Sequence, residues 1–226
     1  MDIHLKYTEK GSGEALVLLH GNNDSGAYFS KQLDAFSSLY RVIAVDTRGH
    51  GSSPRGTAPF TLSQFVEDLN FFLDELGIES ANLLGFSDGG NIALMFAIKY
   101  PQRVKKLILN GANLTPSGVK AAYQTAIEAE YFILDRVFSR SERLKRRREM
   151  LSLMVNEPNI TAEQLASLSV PTLIIVGTDD MIKVSETAAI HSGIKGSELK
   201  IIKGSHFVSR EHPEEFNAAV LDFLGR

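Results

Sequence analysis

The chain has no cysteine among its 226 residues, which excludes a disulfide framework, thiolate metal sites and a cysteine nucleophile. Long apolar runs are also missing. The longest stretches free of polar residues, such as Ile92 to Ile98, fall far short of the ~20 residues a bilayer-spanning helix needs, so no transmembrane helix and no membrane partner are expected. Neither sign of charge dominates: a formal net charge of -3 and a pI near 6.1 give no general attraction for nucleic acid or anionic lipid. The opening MDIHLKYTEK carries charges and lacks the apolar centre of a secretory signal, from which a cytoplasmic location is expected. Internal repeats and low-complexity tracts are absent. What is present, 43% hydrophobic residues with 18 glycines, suits one large soluble domain or a domain carrying an insertion.

Short apolar runs rich in β-branched residues alternate with stretches of helical periodicity, the pattern of a mostly parallel sheet covered by helices on both faces. The fold class is therefore α/β. After a charged N-terminal strand or hairpin (Asp2 to Glu9), the expected strands are Ala15 to Leu19, Arg41 to Val45, Ala81 to Leu84, Val104 to Leu109, Pro171 to Val176 and Leu199 to Ile202. Thr61-Leu-Ser-Gln64 reads as a capping box that starts a helix, and Gly77 is placed to stop it. The rhythm breaks over 115–167, which reads as a helical lid inserted into a core of 1–114 and 168–226. There Thr115-Pro116 supplies an N-cap and first-turn proline, Ile127, Tyr131, Leu134 and Phe138 form an apolar helical face, and Thr161-Ala-Glu-Gln164 is a second capping box. The basic run SRSERLKRRREM in this segment reads as a solvated helix face.

Gly85-Phe86-Ser87-Asp88-Gly89 matches G-x-S-x-G, and its context gives it meaning. An apolar strand precedes it and the helical run Gly90-Asn-Ile-Ala-Leu-Met-Phe-Ala follows. A strand-to-helix turn this tight needs small residues around the serine, which Gly85 and Gly89 supply, and it lifts the hydroxyl clear of the sheet. The helix start also favours negative charge beside Ser87. A serine hydroxyl needs a base, and among six histidines His206 stands out. It lies in Lys203-Gly-Ser-His-Phe207, directly after the last strand, where the carboxyl ends of parallel strands gather functional groups. A carboxylate must orient that imidazole, and Gly177-Thr-Asp-Asp180 offers two, with Asp180 preferred and Asp179 the alternative. The order Ser87, Asp180, His206 is that of α/β-hydrolases. Two donors for an oxyanion are expected from the backbone N–H groups of Asp88 and of Asn22 in the loop His20-Gly-Asn-Asn23.

Together, His20-Gly21 after a strand, Asp46-Thr-Arg-Gly-His-Gly-Ser53, the serine turn, the Gly177–Asp180 loop and the His206 loop resemble the α/β-hydrolase superfamily. The resemblance covers nearly the whole chain outside the lid. Gly85-Phe-Ser-Asp-Gly-Gly90, with Lys99-Tyr-Pro101 and Asn110-Gly-Ala-Asn113, is similar to the small esterases related to valacyclovir hydrolase. That similarity implies a substrate-binding role for the Asp88 carboxylate toward an ammonium group; an Asp in a helix's first turn also stabilises the helix dipole by ~0.3–1 kcal/mol. The expected activity is serine hydrolysis of small esters or related acyl compounds through an acyl-enzyme, with no metal and no organic cofactor. Dehalogenase and epoxide hydrolase relatives share His20-Gly-Asn22 but use aspartate where Ser87 stands. Carbon–carbon bond hydrolysis, perhydrolysis and a ligand-sensing receptor with slow turnover remain alternatives.

Overall fold

In the computed structural model, which describes residues 2–136 and 141–226, the apolar runs form one seven-stranded sheet. The strands are β1 (Lys6–Lys10), β2 (Ala15–Leu19), β3 (Arg41–Asp46), β4 (Ala81–Phe86), β5 (Val104–Asn110), β6 (Thr172–Gly177) and β7 (Glu198–Ile202), in the order β1-β3-β2-β4-β5-β6-β7. All neighbours from β3 to β7 run parallel, and β1 pairs antiparallel with β3. Of the strand or hairpin expected at the N-terminus, the strand forms: β1 pairs with β3 and leaves β2 inside the sheet. Side-chain alternation then divides the core. Val17 and Leu19 of β2 pack on one face with α2 (Leu62–Glu75) and α3 (Asp88–Lys99), while Leu16 and Leu18 pack on the other with α1 (Ser30–Phe36) and the C-terminal helix Pro213–Leu224.

The two capping boxes differ. At Thr161 both bonds form, Gln164 N–H to Thr161 Oγ1 at 3.3 Å and Thr161 N–H to Gln164 Oε1 at 2.9 Å. At Thr61 only the hydroxyl half forms, because the Gln64 amide turns away to donate to Asp68 Oδ1 at 2.9 Å. The Thr115-Pro116 start is also shorter than expected. Pro116–Gly118 makes one tight turn, Thr115 Oγ1 meets Ser117 Oγ instead of capping, and Val119 bridges Ile182 in extended form. That bridge stops any helix from running on, so α4 begins only at Ala121 (Ala121–Arg136). It is followed by α5 (Glu142–Asn156) and α6 (Ala162–Ala166) before β6. Ile127, Tyr131 and Leu134 lie half-buried on α4, and Phe138 lies outside the described residues. Within the basic run, Lys145 pairs with Glu142, Arg147 with Glu130 and Arg148 with Asp135, which joins α5 to α4. No helix of the described residues is long and apolar enough to cross a membrane.

Arg48, fully buried, ties the N-terminus to the turn after β3. It donates through Nε to Asp68 Oδ2 at 2.6 Å and through Nη2 to Asp68 Oδ1 at 2.7 Å and Asp2 Oδ1 at 2.8 Å. The guanidinium and the N–H groups of Thr57 and Ala58 hold the Asp2 carboxyl well below the usual range. Arg48→Met strands the buried Asp68 carboxylate and is expected to cost about 3–5 kcal/mol, most of which returns in Arg48→Met with Asp68→Leu. Urea unfolding of both variants checks this; equal losses in the two would show that packing, not charge, sets the cost.

Candidate active site

The chain leaves β4 and enters α3 through Ser87, whose backbone sits at φ 53°, ψ -120°. Positive φ is costly for a serine and persists only where packing dictates it. Here the packing is unusually close. A Cβ on Gly85 would lie 2.1 Å from Gly89 O, and one on Gly89 would lie 2.0 Å from Leu19 O at the end of β2. Ser87 N–H donates to Asn110 O at 2.8 Å, tying the turn to β5. The loop after β2 runs beside it, so a Cβ on Gly21 would come within 3.2 Å of Ser87 Cβ. Ser87 and the Asn22 loop thus share the place where the strand order reverses, between β2 and β4.

Two other loops meet across the same end of the sheet. Thr178 N–H donates to Ile202 O at 2.9 Å and Asp179 N–H to Gly204 O at 2.9 Å, which lays the loop after β6 along the loop after β7. Within this arrangement His206 Nδ1 donates to Asp180 Oδ1 at 2.6 Å, with His206 5% and Asp180 3% exposed. Ile182 N–H donates to the same oxygen at 2.9 Å and orients it. Asp179 points into solvent and accepts from Thr178 Oγ1 at 2.9 Å. Of the two carboxylates in this loop, only Asp180 touches the imidazole. Glu211 accepts from Ser205 N–H and Oγ at 2.8 and 2.6 Å and steadies the histidine loop.

His206 reaches the serine turn through Phe86, whose ring centre lies 4.9 Å from the imidazole. Its Nε2 is buried with no hydrogen-bond partner among the described residues, so no Ser87–His206 hydrogen bond is made. Asp88, next after the serine, is buried, within coulombic reach of a protonated His206. Burial pushes its carboxyl up, against the opposing Asn22 hydrogen bond and the His206 charge. The carboxylate accepts from Asn22 Nδ2 at 2.9 Å. Glu157 lies close enough for the two acids to interact; burial raises it, the N–H groups of Leu62 and Ser63 lower it, and Asp88 adds repulsion. The remaining histidines do other work. His20 Nδ1 donates to Gly21 O at 2.7 Å while Nε2 accepts from Thr47 N–H at 3.1 Å, and burial lowers its pKa. His50, packed against it, is lowered to about 4, chiefly by burial. His4, His191 and His212 lie elsewhere.

Several contacts escaped the reading from sequence. Phe86 occupies the variable position of the motif, yet it stacks on Tyr28 at 4.4 Å as well as touching His206. Asn91 and Asn113 exchange hydrogen bonds behind α3, Nδ2 to Oδ1 and Oδ1 from N–H, both at 3.0 Å. The repeated asparagine around Asn110-Gly-Ala-Asn113 was the available signal. Nothing local marked the carbonyl of Met150, to which Asn22 Nδ2 also donates at 2.9 Å. Among the described residues no group of three or more His, Cys, Asp or Glu is placed to hold a metal ion.

Fold and site define the class. The chain belongs to the α/β-hydrolase family, whose model, described as the alpha/beta hydrolase fold, matches residues 14–148, and it is a hydrolase of that fold. It is similar to a 2-hydroxy-6-oxononadienedioate/2-hydroxy-6-oxononatrienedioate hydrolase of Escherichia coli (strain K12), 30% identical over 264 aligned residues that cover 99% of this chain and 92% of the relative. A protein of the same description from Paraburkholderia phymatum is 29% identical over 265 aligned residues, covering 100% of this chain and 92% of its own. Both alignments are longer than the 226-residue chain, so the relatives carry segments it lacks. Among solved structures, the meta-cleavage product hydrolase CumD of Pseudomonas fluorescens IP01 superposes with a TM-score of 0.81 at 26% identity, covering 99% of this chain and 94% of that one. An N-acyl homoserine lactone degrading enzyme gives 0.79 at 27% identity, covering 98% and 97%.

The clearance at the turn is testable without any substrate. Gly89→Ala puts a methyl onto the backbone of β2 and is expected to cost ~1–3 kcal/mol or more, which for a chain of this size lowers Tm by about 2–4 °C per kcal/mol. At Gly196, where a Cβ meets nothing within 4 Å, alanine faces only the strain of φ +77°. Thermal unfolding should rank Gly89→Ala well below Gly196→Ala; the reverse order would contradict the close approach.

Proposed function

We propose that the protein is a serine hydrolase that cleaves small esters or related acyl compounds through an acyl-enzyme. The observation that carries this reading is the buried His206–Asp180 hydrogen bond, which leaves Nε2 without a partner among the described residues and sets the imidazole 4.9 Å from the ring of Phe86, the residue before Ser87. In this scheme Nε2 takes the proton from Ser87 Oγ as the oxygen attacks the acyl carbon. Asp180 holds the Nδ1–H tautomer and stabilises the imidazolium. The negative charge that develops on the carbonyl oxygen is received by the N–H groups of Asn22 and Asp88. Neither N–H has an acceptor among the described residues, as befits donors kept for a ligand. Collapse breaks the ester C–O bond, and the leaving alcohol takes the proton from His206. Water then attacks the acyl-enzyme with the same base, releases the acid and restores Ser87.

A second reading has a specific observation behind it, the description of the E. coli and P. phymatum relatives. The compound named there has no ester, so its hydrolysis breaks a carbon–carbon bond. It is a dicarboxylate, and the buried Asp88 beside Ser87 favours a neutral or cationic acyl group instead. Parallel assays separate the readings: p-nitrophenyl acetate should give a burst followed by steady turnover, faster than cleavage of a 2-hydroxy-6-oxodienedioate. Turnover of the dienedioate alone would reverse the assignment, and ligand binding with almost no turnover would favour a sensor.

Ser87→Ala should abolish the burst while leaving the fold intact. Asp180→Asn should lower kcat by about 10²–10⁴, as loss of the orienting carboxylate does in a serine triad, whereas Asp179→Asn should change it less than ~3-fold. Comparable losses in the two would refute the role given to Asp180.

Asp88 is also proposed to receive an ammonium group next to the scissile carbonyl, with a charge-assisted hydrogen bond of about 1.5–3 kcal/mol, or ~10–100-fold in kcat/KM. An α-amino ester should outrun its des-amino analogue in the wild type, and Asp88→Ala should remove the advantage. Because burial raises this carboxyl, it is neutralised at higher pH than an exposed one, so the advantage should fade as pH falls through that raised value. An identical ratio in wild type and variant would eliminate the ammonium role.

A further inference from the structure

The two residues whose backbone N–H groups are assigned to the oxyanion also hold each other by their side chains, Asn22 Nδ2 donating to Asp88 Oδ2 at 2.9 Å across 66 positions of sequence. The same nitrogen donates to Met150 O at 2.9 Å, on α5. A primary amide has two N–H bonds, and both are used. Because both partners are acceptors, the amide must turn its NH2 group toward them. Asn22 therefore links the loop after β2, the first turn of α3 and the middle of α5 through one atom. Resting on the hydrolase reading above, we propose that the Asn22 side chain is a positioning residue, a clasp that fixes the spacing of the two oxyanion donors and makes it depend on the docking of α5.

Three features of the surroundings support this assignment. Other bonds hold the loop at its ends, His20 Nδ1 to Gly21 O at 2.7 Å and Arg210 Nη2 to Asp24 Oδ2 at 3.2 Å, but at its tip Asn23 is at φ 55° and the backbone bond that closes the turn, Asp24 N–H to Gly21 O, is long at 3.3 Å. Asp88 is buried, and among the described residues its carboxylate has no other hydrogen-bond donor than Asn22, so losing the clasp frees the loop and strands a buried acid together. On the α5 side, Met150 follows Glu149, which Arg55 grips through Nε at 2.9 Å and Nη2 at 2.7 Å, so the carbonyl that Asn22 reaches is itself pinned to the core. Displacing a donor by about 1 Å can cost ~10²-fold in rate, whereas an unchanged pocket leaves ground-state binding alone. A clasp should therefore be visible in kcat more than in KM.

The clasp needs an acceptor at position 88, and ammonium recognition needs a charge there. Asp88→Asn keeps the first and removes the second. With p-nitrophenyl acetate, which has no ammonium group, Asn22→Ala and Asp88→Ala should each lower kcat ~10–100-fold with KM within ~3-fold. Asp88→Asn should recover at least ~10-fold of the kcat lost in Asp88→Ala, and the double alanine variant should be no worse than ~3-fold below either single one, since both break one contact. Affinity for phenylboronic acid, whose tetrahedral adduct places an oxygen at the donors, should fall in step with kcat. Full kcat in both alanine variants, or Asp88→Asn as impaired as Asp88→Ala, overturns the clasp. A wild-type chain with no burst instead overturns the hydrolase reading. In that event amide hydrogen exchange decides the clasp by itself: exchange at residues 21–24 should quicken in Asn22→Ala and Asp88→Ala and much less in Asp88→Asn, and unchanged exchange in both alanine variants refutes it.

Discussion

The site depends on one close approach, that of the first turn of α3 to the carboxyl end of β2. With a Cβ at residue 89 only 2.0 Å from Leu19 O, no side chain fits there, and glycine lets helix and strand close to backbone contact. This contact forces Ser87 into positive φ, a strain on the order of 1–3 kcal/mol. The strain is offset by what surrounds it: every residue of β4 is buried, and most of the first half of α3 is buried as well. The same approach brings Asn22, Ser87 and Asp88 together, since one lies just past β2 and the others just past β4. Were α3 farther from β2, the proposed oxyanion donors would separate before any side chain moved.

A second layer is attached to this first one unevenly. Helix α5 is tied to the rest of the chain at successive points, by Arg55 to Glu149, by Asn22 to Met150 O and, just past its end, by Leu62 N–H to Glu157. Met150, Leu151 and Leu153 are buried beneath it. Helix α4 buries only Gln124 and leaves Tyr123, Phe132 and Ile133 largely exposed. Its ion pairs with α5 are solvent-accessible, and such pairs are worth about 0–1 kcal/mol each. Few buried contacts and exposed pairs place α4 at the low-stability end of the molecule, while α5 behaves as part of the core. The side of the segment that meets the Asn22 loop is therefore its rigid side.

Much of this was legible in the residues themselves. Buried parallel strands read as continuous apolar runs, so β2 to β6 were placed within a residue or two, as was the exposed edge strand β7, and Gly85 and Gly89 announced the tight turn. His206 could be chosen because its position just after a strand is a property of sequence order. Choosing between Asp179 and Asp180 was harder: both follow β6, and what separates them is the turn in which Asp180 N–H meets Gly177 O at 3.3 Å, carrying one side chain inward and leaving the other in solvent. The half-made capping box at Thr61 shows the same limit, since Asp68 competes for Gln64 because it also serves Arg48. The Asn22 bridge was invisible in principle. Its partners lie 66 and 128 residues away, and no local pattern encodes which distant carbonyl an amide will meet.

Burial shapes the electrostatics of the site in one direction, toward fewer charges. It lowers His20 and His50 and raises Asp88 and Glu157, so each of these groups is pushed toward its neutral form. Such a setting suits a neutral carbonyl but would make the oxyanion of the proposed acyl transfer a difficulty beside Asp88, because an ionised carboxylate there would repel it. Two terms oppose that repulsion. The Asn22 amide donates to the carboxylate and draws its charge away along Oδ2, and the α3 N-terminus presents unpaired N–H groups whose dipoles favour negative charge. In the proposed reaction the Asp88 carboxyl is thus tolerable next to an oxyanion only while it is hydrogen-bonded from the Asn22 side, which gives the proposed clasp an electrostatic reason as well as a geometric one.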